Sequence, residues 1–124
     1  MANWGARRGF VEVLRHVFRR FLCSSLGESA GEAVLFFLER DLGRDPFEVL
    51  WDDPGAFYSA LERIFGAGAK VIMNILTAGV NGECGLNMSP ERFIELMRSG
   101  SVKEIQSLLR KIAESYKSKE DGTK

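Results

Sequence analysis

Residues 45–69, DPFEVLWDDPGAFYSALERIFGAGA, hold the signals that decide the fold of this chain. Asp45-Pro46 and Asp53-Pro54 each place an aspartate directly before a proline, an arrangement typical of a helix start. The aspartate accepts hydrogen bonds from free amides of the first turn, and the proline gives up only an amide that has no partner there. The stretch therefore predicts a short helix, a corner locked by Trp51, and a second helix that Gly66 ends in a left-handed conformation.

Hydrophobic residues recur at helical spacing on both sides of this stretch. They predict helices over residues 7–25, 29–42, 68–78, 90–99 and 102–117. The run Val34 to Leu38 is apolar on all sides of the second of these helices, which predicts that it is buried on most sides and forms the core.

The fold class predicted from this pattern is all-α. We expect one compact orthogonal bundle of about six helices without a sheet, because no segment has the alternation of a strand. A length of 124 residues suits one domain. We place that domain at residues 1–117 and a flexible C-terminal tail at residues 118–124.

Charge is unevenly distributed along a chain whose formal net charge is zero. Residues 1–25 carry five Arg and one Glu (+4), residues 26–65 nine acidic residues and three Arg (−6), and residues 66–124 nine basic and seven acidic residues (+2). The simplest interpretation is that helices of opposite charge lie side by side, and a binding surface is the alternative.

The basic first helix is the best candidate for a nucleic-acid or partner-binding surface. Its candidate contact residues are four arginines, Arg8, Arg15, Arg19 and Arg20. Because the net charge is zero, no overall field attracts nucleic acid, and a nucleic-acid-binding regulator is the second choice of function.

The residue pattern argues against an enzyme. Cys84 would need a base or a positive neighbour to hold a thiolate, and nothing in the sequence brings the only histidine, His16, close to it. Cys23 and Cys84 lack metal-ligand and redox spacing, and whether they pair is left open. We predict no catalytic residue, no metal site and no cofactor.

The segment Gly79 to Ser89 is expected to be the one long loop of the fold, with a turn at Asn81-Gly82. Gly79, Gly82 and Gly85 have a spacing that resembles a phosphate-binding loop. That mechanism requires a strand before the glycines and a helix directly after them, and neither is predicted here. Such a long loop is nevertheless where a site would be expected.

Targeting signals are not evident. The longest apolar run, Ala33 to Leu38, is far shorter than a membrane span requires, and no signal-peptide pattern is present. We therefore predict no membrane partner and a cytoplasmic location.

Three segments, GESAGEAVLFFLERDLG, DPFEVL and PGAFYSALERIFGAGAKVI, lie within residues 27–72. In pattern they resemble a group of small, all-helical, mostly archaeal proteins. The resemblance implies a helical fold and carries no activity and no site residue.

The composition favours an interaction module over an enzyme. Nine Phe and two Trp in 124 residues provide aromatic area for a partner surface. We predict a non-enzymatic protein–protein interaction or regulatory module that self-associates or binds another protein. Trp51, Phe57 and Tyr58 are the candidate aromatic contacts, and the third choice, a small-ligand sensor, would use the same residues as its pocket.

Overall fold

The computed structural model describes residues 2–121, with side chains described for residues 9–119, and this part of the chain contains helices and no strand. The helices are α1 (Ala2–Leu26), α2 (Glu28–Leu42), α3 (Pro46–Asp52), α4 (Pro54–Phe65), α5 (Gly68–Cys84), α6 (Pro90–Arg98) and α7 (Val102–Asp121). The predicted all-α class is confirmed, and the number of helices in residues 2–121 is seven, not about six.

Both aspartate–proline pairs begin helices as predicted. The Asp45 carboxylate accepts a hydrogen bond of 2.8 Å from the Phe47 amide at the start of α3. The Asp53 carboxylate accepts one of 3.2 Å from the Ala56 amide at the start of α4. Because Asp53 also ends α3, the two helices meet at a single residue, and the corner between them is sharp.

The core lies where α3 and α4 meet α1. Phe47 of α3 packs edge-on against Phe18 of α1, with ring centroids 5.5 Å apart, and its ring centroid is 6.3 Å from that of Phe57 of α4. Leu50 and Leu61 beside them are fully buried. Residues 45–69 therefore supply the centre of the packed interior.

Trp51 joins different elements from those expected at the corner. Its ring meets Phe10 of α1 edge-on at 4.7 Å, and the Arg110 guanidinium of α7 lies 5.3 Å from the ring centroid. Its carbonyl accepts a 2.9 Å hydrogen bond from the Gln106 amide of α7. Trp51 thus fastens α3 to α1 and α7, and its role in locking α3 to α4 stays a prediction.

The prediction of a long loop from Gly79 to Ser89 is wrong for residues 79–84, which are helical. α5 continues to Cys84, and Gly85, with φ of 66°, forms its left-handed end. The Asn81 side chain, still within the helix, donates to the Met88 carbonyl (2.8 Å) and accepts from the Met88 amide (3.0 Å). Because one amide side chain satisfies both backbone groups, the connection of residues 85–89 is held against α5 and is short.

The final helix runs further than the predicted domain boundary at residue 117. α7 continues to Asp121, and the Lys119 ammonium lies 3.4 Å from the Glu83 carboxylate of α5. The Ser115 hydroxyl donates to the Glu83 carbonyl at 2.9 Å. These contacts attach the last turns of α7 to the end of α5.

Candidate interaction surface

The outer side of α2 exposes two neighbouring phenylalanines. Phe36 is 58% exposed and Phe37 is 44% exposed, and their rings meet edge-on with centroids 5.6 Å apart. The other exposed large hydrophobic residues of the described side chains, Leu26 and Val71, are aliphatic and lie on α1 and α5. We call Phe36 and Phe37 the phenylalanine pair.

This exposure corrects the prediction that α2 is buried on most sides. Its buried residues are Gly31, Val34 and Leu38, which form one narrow stripe at helical spacing. Phe36 and Phe37 lie off that stripe. Only the inner side of α2 is therefore packed against other helices. The phenylalanine rings on its outer side are not covered by any other part of residues 9–119.

Gly31 sets the side of α2 that faces inward. A Cβ atom at this position would lie 2.6 Å from the Cys23 Sγ atom and 3.0 Å from the Cys23 Cα atom of α1. The absence of a side chain lets α1 and α2 approach closely, and this contact orients α2. The spacing of Gly31, Val34 and Leu38 is the sequence signal from which the outward direction of the phenylalanine pair could have been found.

Ion pairs attach both flanks of α2 to neighbouring helices. On one flank the Arg19 guanidinium of α1 binds the Glu32 carboxylate, and its Nη2 atom lies 3.6 Å from Glu28. The hydrogen bond that Arg19 donates to Glu32 raises the pKa of the Arg19 guanidinium. On the other flank Arg63 of α4 binds Asp41, which lowers the pKa of that carboxyl group. The carboxylates of Glu32 and Asp41 are thus paired with arginines of neighbouring helices, whereas the phenylalanine pair faces outward.

The arginines proposed for nucleic-acid or partner binding lie in different surroundings. Arg15 is paired with Glu12 at 2.8 Å and with Asp45, and Arg19 is paired as described above. The Arg20 guanidinium lies 5.9 Å from the centroid of the Tyr116 ring. The side chain of Arg8 falls outside the described residues. The pairs of Arg15 and Arg19 agree with the interpretation that helices of opposite charge lie side by side.

The three aromatic residues predicted to contact a partner or a ligand lie mainly in the interior. Phe57 is 1% and Tyr58 is 3% exposed, so neither ring presents a surface to a partner. Burial, with a smaller contribution from Glu62, raises the pKa of the Tyr58 hydroxyl. Trp51 is half-buried between Phe10 and Arg110. Among the side chains of residues 9–119, the most exposed phenylalanines lie on α2 and not at the corner of α3 and α4.

A groove lies between residues 85–89, α6 and α7, and we call it the α6–α7 groove. It has a volume of about 410 Å³, and its apolar lining consists of Leu86, Met88, Leu96 and Leu108. Charged and polar side chains form its rim. A smaller hollow of about 260 Å³ lies between α1 and α5 beside Phe21 and Gly79. Neither depression is lined by Trp51, Phe57 or Tyr58.

The surroundings of Cys84 favour the protonated thiol. Burial and the neighbouring Glu83 carboxylate raise the pKa of Cys84, although Lys111 and Lys119 lower it in part. A nucleophilic cysteine needs the opposite shift. Both cysteines are free thiols, so Cys23 and Cys84 do not pair.

The glycine spacing that resembles a phosphate loop lies at the wrong end of a helix. Gly79 and Gly82 are within α5, and Gly85 follows its C-terminus. The carbonyl end of a helix is the negative end of its dipole, whereas phosphate binds at the amide end. Among the described residues, no group of three or more His, Cys, Asp or Glu side chains is arranged to hold a metal ion. None of the described helices is long and apolar enough to cross a membrane.

Comparisons with models of protein families, with curated protein sequences and with solved structures found no match. The resemblance of residues 27–72 to small archaeal helical proteins therefore stays a prediction.

Proposed function

We propose that this protein is a non-enzymatic helical interaction module that self-associates through the outer face of α2. The observation that carries the proposal is the exposure of the phenylalanine pair, Phe36 and Phe37, on a helix whose inner side is already packed. An aromatic pair facing solvent lowers solubility and gives no stability to the monomer, because its apolar area is buried only when another surface covers it.

The free energy available from this contact suits a modest interaction. Complete burial of a phenylalanine side chain contributes about 1.5–3 kcal/mol, and roughly half of each ring in the pair is still exposed. Association also costs translational and rotational freedom, so this pair acts as the energetic centre of a larger interface. We expect association at high protein concentration and a partner surface that adds further contacts around the rings.

Light scattering coupled to size-exclusion chromatography over a range of protein concentrations tests the proposal. The wild-type mass should rise with concentration, and the double variant Phe36→Ser/Phe37→Ser should stay at the mass of one chain. Val71→Ser is the matched control, because Val71 is also an exposed hydrophobic residue, 54% exposed, but lies on α5. A wild-type protein that remains a monomer at all concentrations would contradict the proposal.

Nucleic-acid binding is the alternative function that the basic α1 still suggests. Arg15 and Arg19 would have to exchange carboxylate partners for phosphates, and this exchange reduces the gain from binding. Binding of DNA or RNA at low salt that is lost on joint neutralisation of Arg15, Arg19 and Arg20 would favour it. The third choice, a small-ligand sensor, the orthogonal arrangement of the helices and the cytoplasmic location stay predictions.

A further inference from the structure

The phenylalanine pair is exposed, the α6–α7 groove is a depression, and the two lie on different parts of the fold. The pair projects from α2, whose extensive contacts are with α1, α3 and α4. The groove is built by residues 85–89, α6 and α7, and α6 packs against α4, α5 and α7. Because α2 does not pack on the groove within one chain, only a second chain can bring the two features together.

The size and lining of the groove suit aromatic side chains. Its volume of about 410 Å³ falls in the range of roughly 300–1,000 Å³ that is usual for ligand pockets. Its apolar lining comes from leucine and methionine side chains, and methionine adapts its shape and makes favourable contacts with aromatic rings.

The charges around the two features are complementary as well. Glu39 and Arg40 lie about one helical turn beyond the phenylalanine pair, and neither has an ion-pair partner among the described side chains, where the ion pairs of α2 involve Glu28, Glu32 and Asp41. The groove rim carries Glu104 and Lys111, which likewise have none in this part of the chain, together with Arg92, which lies 3.5 Å from Glu95. One free acid and one free base beside the rings can thus meet an opposite charge on the rim.

From these features we propose that the phenylalanine pair of one copy of this chain binds in the α6–α7 groove of a second copy. The inference rests on the proposed self-association and specifies its geometry. The interface is heterologous, since it joins two different surfaces, and each bound copy still presents a free groove or a free phenylalanine pair. Assembly therefore continues head to tail into open chains or closes into rings, the smallest of which is a dimer in which each copy binds the phenylalanine pair of the other.

Two kinds of variant separate the two halves of this interface. The pair variant is Phe36→Ser/Phe37→Ser. The groove is blocked by Ser107→Arg or, independently, by Asn87→Arg, because both residues line the groove with exposed side chains whose replacement leaves the core intact. Ser118→Arg is the matched control, since it places the same side chain at an exposed position of α7 outside the groove.

Each variant alone should need at least about tenfold more protein than the wild type for half-association, and Ser118→Arg should match the wild type. An equal mixture of the pair variant and a groove-blocked variant should form species of two chains and no larger, because the mixture contains one intact phenylalanine pair and one intact groove. Sedimentation velocity measures both results, and circular dichroism confirms that each variant is folded.

The contrary outcomes point to different failures. If both groove-blocked variants assemble like the wild type while the pair variant does not, the pair binds another copy of α2 and the groove proposal is overturned, although self-association stands. If the mixture stays monomeric, the groove proposal is likewise overturned. A wild-type chain that never associates would refute the proposed function itself.

Discussion

Arg15 of α1 binds the Asp45 carboxylate that caps α3. One oxygen of Asp45 accepts the Phe47 amide at 2.8 Å, and the other receives the Arg15 guanidinium. The role of Asp45 at the start of α3 is evident from its neighbours in sequence. Asp45 also joins α3 to α1, because it binds Arg15, which lies 30 positions earlier in the chain. The local and the tertiary functions of this side chain can be separated by substitution.

We expect Asp45→Ala to lower the free energy of unfolding by about 1–2 kcal/mol, because the cap is lost. Asp45→Asn should cost less, about 0–1 kcal/mol, because asparagine is an equally good cap and only the partly exposed ion pair is removed. Urea denaturation measures both values. Equal losses for the two variants would show that the ion pair, and not the cap, accounts for the effect.

Gly79 of α5 lies against Phe21 of α1, and we expect Gly79→Ala to destabilise the protein by about 1–3 kcal/mol. A Cβ atom at Gly79 would lie 2.4 Å from the Phe21 Cγ atom, so α1 and α5 would have to separate or the ring would have to turn. Thermal or urea denaturation measures the change.

The control for this prediction is Gly82→Ala in the same helix. A Cβ atom at Gly82 would have no neighbour within 4 Å among the described residues, so this change should stabilise the fold by up to about 1 kcal/mol through helix propensity alone. If both changes were stabilising, the close contact of Gly79 with Phe21 would not be a constraint on the fold.

Asp41 should titrate below the ordinary range of an aspartate, and Arg63→Gln should raise its pKa, because Arg63 supplies the largest stabilising contact of the charged form. A depressed pKa means that the pair stabilises the fold above the ordinary aspartate pKa and that this contribution is lost as the pH falls through the pKa of the folded state. Carbon-13 NMR of the carboxyl group measures the titration. Arg40→Gln, adjacent in sequence, is the control and should leave the pKa of Asp41 nearly as it is.

Cys84 should react slowly with a thiol reagent at neutral pH in a Cys23→Ser background, because its raised pKa keeps the thiol protonated. Its labelling should accelerate as the pH rises. Glu83→Gln removes the negative neighbour and should increase the labelling rate at a fixed pH. A Cys84 that labels at neutral pH as fast as an unfolded thiol would contradict the assigned environment.

Much of the helical framework was predictable because its signals are local. Asp45 and Asp53 reach amides two or three residues away, and the two prolines that follow them remove donors that have no partner. The sequence pattern predicts that the helix beginning at Gly68 ends at residue 78, whereas α5 extends to Cys84, and the difference has a physical reason. Gly79 and Gly82 have low helix propensity, which favours an earlier helix end, whereas the close approach of Phe21 to Gly79 comes from another helix and is not visible in the local sequence.

The candidate site was not predictable in the same way. The sequence by itself determined that α2 would be a helix and that both Phe36 and Phe37 would be on it, because helical periodicity and caps act within a few residues. Only the tertiary structure decided which side of α2 is covered, since the close contact of Gly31 with Cys23 turns one stripe inward and leaves the phenylalanine pair outside. The arginines of α1 acquire their partners in the same way, because Glu32 and Asp45 are brought to them by packing between helices that no local pattern records.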